Sequence, residues 1–565
     1  MIKKINIFLV LLLLLISVGA VSAADEGGLT DIVGSEASSD NIAVVSADEN
    51  IDHNEEVLTA DDSSSELSAA SYKVTSSNYN TYFDSDGNLI YSNFNPGDTI
   101  ELSGSFSGVS FVFNKTVNIV GTSNDMKNSM ITLLSGASGS HIANLKITNT
   151  NDGTYGIFLN SASNCVIQNC TIKNTGKSSY CICLGNGANK NTVKENNLET
   201  YGVTYGHNQR STPPLVLSGS HHNTILKNKI KVDDANGIYL SSYSGGPLKG
   251  GESNYNIIKQ NTINYNVLPT SWAFGIQVMG SNNKIISNKI NGAYRGISTA
   301  GYSNEITKNT INHLTGADYN NPNVEIGGDY GIVGSYNTLI SNNKILNSKI
   351  IADGAGISAI DNSIVENNIV QVTEKGRGIV AGGSNVIVRN NVITTQSGSG
   401  IYEKDEGSGL LVDGNNITSD SGVGILVEKL SSKRMPKNVT VTNNIISTNN
   451  KFAIDVAGVQ AGTSDTDYSS NTIIGSGLIN SPAGVIDNSK PTYTYKGTNH
   501  DITLENFSKY INDNGGLTSE IKDGDTLKFE GTFTNKVIYV TKQVRITGNN
   551  PIFYNSTFKV TCGMY

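Results

Sequence analysis

Between about Gly139 and Ile473 apolar and polar residues alternate in runs of three or four, each cut short by Asn or Gly. One phrase, N-x-[IV]-x-x-N-x-[ILV], keeps returning. Asn283, Ile285, Asn288 and Ile290 spell it once, and Asn304, Ile306, Asn309 and Ile311 spell it again 21 residues later. Alternation with period two predicts strands. No i, i+3, i+4, i+7 stripe is sustained, so the pattern excludes helices. Upstream of the phrase a third short strand, Gly-Ile-x-Φ, opens at Gly156, Gly237, Gly275, Gly296, Gly331, Gly356, Gly378 and Gly424. One unit is therefore three short strands joined by tight turns.

The second Asn of the phrase, or its stand-in, falls at Leu145, Cys170, Asn196, Asn228, Asn261, Asn288, Asn309, Asn343, Asn367, Asn390, Asn415, Asn443 and Asn471, with separations from 21 to 34. A constant floor with additions above it means a fixed turn carrying loop insertions. Three short strands cannot bury their inward Ile, Val and Leu alone. Stacking units along an axis does so, each strand pairing in parallel with its equivalent in the next unit. That architecture is an all-β parallel β-helix, a solenoid of about thirteen rungs with strands ~4.8 Å apart, on the order of 60 Å long. The eleven asparagines from Asn196 to Asn471 are expected at a sharp bend, where left-handed backbone costs Asn little, with their amides stacked as a structural ladder.

A second repeat brackets the first. Gly97, Asp98, Thr99, Gly104 and Phe106 return as Gly524, Asp525, Thr526, Gly531 and Phe533, and Lys115, Val117, Ile119 and Gly121 as Lys542, Val544, Ile546 and Gly548, all offset by 427; upstream, Asn78 and Tyr82 match Asn506 and Tyr510 at 428. The first copy precedes the regular units and is expected to cap the open end of the solenoid. The second is a partial repeat of that cap.

Composition places the chain rather than redefining it. Gly is 59 of 565 residues and Tyr outnumbers Phe by 25 to 14, a strand-and-turn composition. Lys3 and Lys4, the apolar run Ile7–Val18 and the small residues Val21, Ser22 and Ala23 read as a secretory signal over 1–23, or as a membrane anchor where uncut. Residues 24–70 hold 13 Asp and Glu with no Lys or Arg, the signature of a disordered acidic stalk. Removing those 13 acids and the two signal lysines leaves 49 − 13 = 36 acids against 40 − 2 = 38 bases, so the remainder is near neutral and offers no nucleic-acid footprint. The expected layout is then a cap over 71–138, the β-helix over 139–480, a linker over 481–500 and the partial second cap over 501–565. Cys165 and Cys170 are expected as small buried fillers, and Cys181 and Cys183 on one face of a strand; no cysteine or histidine spacing calls for a metal, and no motif for a cofactor.

With these motifs in place, residues 139–473 resemble right-handed parallel β-helix proteins of the pectate-lyase-like superfamily. The signal, the acidic stalk and the Asn/Ile rungs together are similar to adhesin-like surface proteins of methanogenic archaea. The first resemblance implies right-handed coiling and, in catalytic relatives, carboxylates and bases directed outward on one sheet. Here the outward x of Gly-Ile-x-Φ reads Phe158, Cys183, Val216, Tyr239, Gln277, Ser298, Val333, Ser358, Val380, Tyr402, Leu426 and Asp455, with no carboxylate pair on neighbouring rungs and no Lys or Arg. Acid/base work on a sugar needs two such groups about one bond. The motifs of pectate lyases, polygalacturonases and pectin methylesterases are absent too.

Loop insertions cluster between Asn196 and Asn343 and carry the candidate ligand contacts: Trp272, Tyr201, Tyr205, Tyr243 and Tyr319, beside Tyr239 and Arg295. Asp233, Asp234, His207 and Arg210 are the weak catalytic candidates. The expectation is a secreted or cell-surface, adhesin-like, non-catalytic β-helix whose partners are glycans or other cells. The alternative is a polysaccharide lyase or epimerase using the loop cluster between residues 200 and 330.

Overall fold

The computed structural model describes residues 69–201, 212–242, 248–269, 273–317, 324–403, 406–463, 468–475, 478–487, 497–542 and 544–560. The signal and all but the last two residues of the stalk predicted above lie outside these.

The fold is a right-handed parallel β-helix. Each turn of the coil contributes one strand to each of three sheets. Sheet A takes the first half of the repeated phrase: Lys284–Ile286 pairs in parallel with Glu305–Thr307, Ile285 opposite Ile306. Sheet B takes the second half, with Lys289–Asn291 beside Thr310–Asn312. Sheet C takes the glycine-led strand, with Phe274–Met279 beside Arg295–Ala300. Among the described residues sheet B runs through thirteen such strands, from Lys146–Asn149 to Thr472–Gly475. The inward residues, such as Ile285, Ile306 and Ile340, are fully buried, each contributing roughly 1.5–3 kcal/mol.

The predicted N-terminal cap continues the same coil. Thr99–Ser107 with Ser110–Phe113, and Asn118–Lys127 with Met130–Leu133, form two further turns in which sheets A and B merge into one bent strand. Ile119 pairs opposite Ile142 and Met126 opposite Ile147, so the first regular rung stacks directly upon them. The second copy rebuilds the same elements: Asn499–Ile502, the short helix Phe507–Tyr510, Thr526–Thr534, Val537–Val540, Arg545–Tyr554 and Thr557–Val560, around its own core of Ile502, Leu527, Phe529, Phe533 and Ile538.

The asparagine ladder is real, and its membership corrects the sequence reading at three rungs. Nδ2 of Asn196 donates to Oδ1 of Asn228, and the series continues through Asn261, Asn288, Asn309 and Asn343. From there it passes to Asn368, Asn391, Asn415, Asn444 and Asn471, not to Asn367, Asn390 or Asn443. Those three occupy the left-handed bend, at φ 56°, 55° and 55°. From Asn196 to Asn444 the bend stands one residue ahead of the ladder, held elsewhere by residues such as Ser287 and Lys308. Asn-Asn pairs hid this offset, because either residue satisfies the pattern. A second, shorter ladder, not anticipated, links the first Asn of the phrase through Asn223, Asn256, Asn283 and Asn304.

The glycine opening each sheet C strand answers to space, not to backbone angle. A Cβ at Gly296 would lie 2.3 Å from the Gly331 carbonyl oxygen and 2.7 Å from Cδ1 of Ile311. The same crowding holds at Gly275, Gly378, Gly400 and Gly424. All four cysteines of the 165–183 cluster are buried free thiols. Burial pushes the Cys170 and Cys181 thiols up to about 12. Cys181 and Cys183 do not share a face: Cys181 joins the main core, whereas Cys183 packs outside it with Phe158, Val216 and Leu248. The double acceptance by the Pro214 carbonyl, from the N–H groups of both Cys181 and Ile182, breaks the alternation there.

Candidate functional site

Sheet C puts the predicted outward residues in one continuous column: Phe158 opposite Cys183, Cys183 opposite Val216, Val216 opposite Tyr239, and so on to Asp455. The first rungs of this column are closed to solvent. Leu248 seats on Phe158, Cys183 and Val216, with Tyr155, Tyr180 and Tyr239 around it. Gly185 leaves the room, since a Cβ there would stand 2.5 Å from Leu248 Cδ2. Tyr239 therefore packs beneath a loop.

Charge enters from a neighbouring column that the sequence reading passed over, the residue just before the glycine. There Phe274, Arg295, Tyr330, Ala355 and Arg377 follow one another along the sheet. Arg295 Nε donates to Oδ2 of Asp329 at 2.8 Å and Nη2 donates to the same oxygen. Its guanidinium lies 5.1 Å from the Phe274 ring centroid and 5.9 Å from that of Tyr330. Asp329 is buried. Burial raises its carboxyl above the usual range, and Arg295 pulls against that without cancelling it. Burial, with help from Asp329, pushes the Tyr330 hydroxyl up to about 12. That hydroxyl donates to the Asp353 carbonyl at 3.2 Å.

Three rungs on from Arg295, Arg377 lies 4.1 Å over the Tyr402 ring, within ordinary cation–π range. Its Nη2 stands 3.9 Å from Asp353 Oδ1. The Tyr402 hydroxyl donates to Glu428 Oε2 at 2.8 Å; burial, then Glu428, raise the pKa of that phenol. The expectation of an outward face without cations is thus corrected. Arg295, which the sequence singled out, belongs to a stripe with Arg377, Asp329, Asp353, Tyr402 and Glu428. Strict alternation would send the side chain preceding each Gly-Ile inward with the Ile; it faces outward because the Gly and the Ile are both buried, which breaks the alternation there.

The other candidates that fall among the described residues have separate surroundings. Tyr205, His207, Arg210, Tyr243, Trp272 and Tyr319 lie outside the described residues. Tyr201 has the Lys173 ammonium 4.2 Å over its ring. Asp233 is buried and accepts from Asn266 Nδ2 at 3.1 Å, while Asp234 is half-buried; both follow the strand Lys229–Val232 at a bend. His221 Nδ1 accepts from the Asn254 N–H at 3.1 Å, and His222 stacks on Tyr255. Among the described residues no three His, Cys, Asp or Glu stand together as a metal site, and no helix is long and apolar enough to cross a membrane.

Fold and face together define the class, a right-handed parallel β-helix with a charged, aromatic stripe on one sheet. A family model described as a right handed beta helix region matches residues 330–499. Solved structures similar to the chain include the catalytic domain of a GH87 α-1,3-glucanase in complex with tetrasaccharides (17% identity, covering 67% of this chain and 64% of that one, TM-score 0.35). They also include a mannuronic acid specific polysaccharide family 6 lyase from human gut microbiota (14% identity, 72% and 82%, TM-score 0.35) and a periplasmic alginate epimerase (12% identity, 80% and 78%, TM-score 0.29). The chain spans less than two thirds of the glucanase domain. Among curated proteins there is no match.

Proposed function

We propose that this is an exported, cell-surface β-helix protein of adhesin-like character that contacts glycans or other cells without catalysis. The signal pattern and acidic spacer in the sequence support export and display. The observation that carries the non-catalytic reading is the engagement of the acids along the sheet C face. Asp329 is held by Arg295, Glu428 accepts from Tyr402, and Asp455 accepts from Asn480 Nδ2. Acids so engaged orient arginines and a phenol for recognition; proton transfer needs an acid and a base free to face one bond. A glycan array probed with the full chain, each hit rechecked by mass spectrometry, tests this. Saturable binding without product, weakened in Arg377→Ala, is the expected result.

A second reading, a polysaccharide lyase or epimerase, draws on one observation: Asp329 is a buried carboxyl with a raised pKa on an outward sheet. Product formation lost in Asp329→Asn would replace the adhesin reading with this one.

A further inference from the structure

The near-neutral balance of the chain beyond residue 70 conceals a segregation of charge. Segments 223–232, 256–265, 283–291, 304–312 and 338–346 make sheets A and B of five consecutive rungs, and they hold eight lysines, no arginine and one acid, Glu305. Lys284 pairs with Glu305 at 3.3 Å. Six of the other lysines gather on the edge where sheet A bends into sheet B. Lys227 and Lys308 sit at the left-handed bend itself, at φ 54° and 59°, and Lys259 stands immediately before it. Lys229, Lys289 and Lys344 follow in one column of sheet B, with Thr262 and Thr310 between them. Each of the five rungs thus contributes to the row. All six side chains are exposed, and none stands within ion-pair distance of an acid among the described residues. Every one of these rungs spends two residues on the bend, so no insertion interrupts this edge. Glu195 ends the row on the rung before, and the Glu366–Arg389 pair ends it on the rung after.

We infer that this lysine ridge docks duplex nucleic acid through its phosphates, without regard to base sequence. A straight, unbroken row of cations suits a straight, stiff polyanion. Four rung spacings of ~4.8 Å make the ridge about 19 Å long, and a duplex carries a phosphate on each strand every ~3.4 Å, so the ridge runs along roughly five or six base pairs. Lysine meets phosphate as a point charge, whereas carboxylate sugars draw on arginine forks and aromatic plates, and single strands draw on stacking rings. The ridge offers neither fork nor plate. Its segments hold no arginine, and their one aromatic, Tyr265, turns its hydroxyl to the Ala235 and Phe274 carbonyls, 2.7 Å from each. With no loop projecting from the edge, the lysines reach phosphates and leave base edges unread. This surface is separate from the Arg295–Arg377 stripe on sheet C and does not depend on what that stripe binds.

The test follows binding of the full chain to a short fluorescent duplex DNA by anisotropy as salt is raised, with single-stranded DNA, a polyuronate and phosphatidylserine vesicles as competitors. About six phosphate contacts, one per lysine, predict log K falling against log salt with a slope of about −5, on the order of a thousandfold between about 50 and 200 mM. Duplexes of unrelated sequence should bind alike. Lys229→Gln, Lys289→Gln and Lys344→Gln combined should reduce the slope by about three and weaken binding at low salt by about tenfold or more. Lys146→Gln, whose ammonium pairs with Asp125 at 3.4 Å away from the ridge, and Arg377→Ala should leave both unchanged. Because the three ridge lysines are exposed, the triple variant should melt as the parent does. Absence of duplex binding at low salt, a slope untouched by the triple variant, or tighter binding of single strands, polyuronate or vesicles than of duplex would each overturn the assignment.

Discussion

The chain carries one module twice, Ser71–Leu133 and Asn499–Val560, and the two copies differ in how many described strands pair with them. Local structure is the same in both: a parallel strand pair, one turn of helix, and two bent strands each followed by a short one. Even the anchoring acid is shared. Asp98 accepts the Ala70 and Asn95 N–H groups at 2.8 Å each, as Asp525 accepts those of Thr498 and Lys522 at 2.7 and 2.8 Å. In the first copy the rung beginning at His141 stacks on top, and Ile119 and Ile131 are fully buried. In the second, no described strand pairs with the far edge of Arg545–Tyr554, and the matching Ile546 and Phe558 remain 39% and 37% exposed. An inward isoleucine is thus half buried by its own rung and half by the next. Stability in this fold belongs to interfaces between rungs more than to rungs.

The largest effect should come from truncating the same position in both copies. Ile119→Ala removes a side chain sandwiched between Ile100 and Ile142 and is expected to cost about 2–5 kcal/mol. Ile546→Ala, with Leu527 its one strand partner among the described residues and 39% of the side chain exposed, should cost about 1 kcal/mol or less. Hydrogen exchange of amides in each copy would read the two losses separately; equal losses would break the account of shared burial. Next comes the ladder that ties rungs together in the coil. Asn288 uses its whole amide: Nδ2 donates to Asn309 Oδ1 and the Ile258 carbonyl, and Oδ1 accepts from the Asn261 N–H and Nδ2. Asn288→Ala should cost about 1–3 kcal/mol through the partners it strands. Asn367→Gly, at the exposed bend beside the ladder, should be near neutral in thermal melting.

That contrast also marks what the sequence could and could not reveal. Period-two runs punctuated by Asn and Gly specify three strands per rung, and the recurrence of Ile285, Ile306 and their kin specifies stacking, since nothing else buries them. The duplicated cap was equally plain, because an offset of 427 leaves no freedom of alignment. Ladder membership was plain where another residue type held the bend, as at Ser287-Asn288 and Lys308-Asn309. At Asn367-Asn368, Asn390-Asn391 and Asn443-Asn444 both residue types fit both roles, and the hydrogen bonds decide. The candidate face was half legible. Alternation gave its central column, but Arg295 and Arg377 stand one position upstream of the glycine, where attention to Gly-Ile-x-Φ stops. That Leu248 would seat on Phe158 follows from a loop's path, which no local pattern encodes.

Close approach offers a smaller test of the same comparison. A Cβ on Gly121 would lie 2.2 Å from the Asn144 carbonyl oxygen, backbone of the next rung, which cannot swing aside. On Gly548 it would meet the side chain of Pro551 at 2.5 Å, within the same strand. Gly121→Ala should therefore destabilise its copy by about 1–3 kcal/mol and Gly548→Ala by less. Equal costs would mean that the neighbouring rung contributes nothing to the constraint.

The smallest expected effect is electrostatic and confined to the second copy. Where the first copy has Tyr72, its hydroxyl donating to the Asn93 carbonyl, the second has His500, whose Nε2 stands 2.9 Å from Asp525 Oδ2. Burial alone would raise the Asp525 carboxyl, but the Lys522 N–H, His500 and the Thr498 N–H outweigh it and hold the pKa below the ordinary aspartate value. A carboxyl depressed on folding stabilises the folded copy at pH values above its unfolded pKa, about 3.9, and that contribution is lost as pH falls through the lower, folded value. Amides of Leu527 and Phe529 should therefore exchange faster on acidification below about pH 4, with the step reduced in His500→Tyr, which restores the first copy's residue. An acid step of the same size in both the parent and the variant would show that the backbone N–H donors, common to both copies, set the depression and that the imidazole adds nothing.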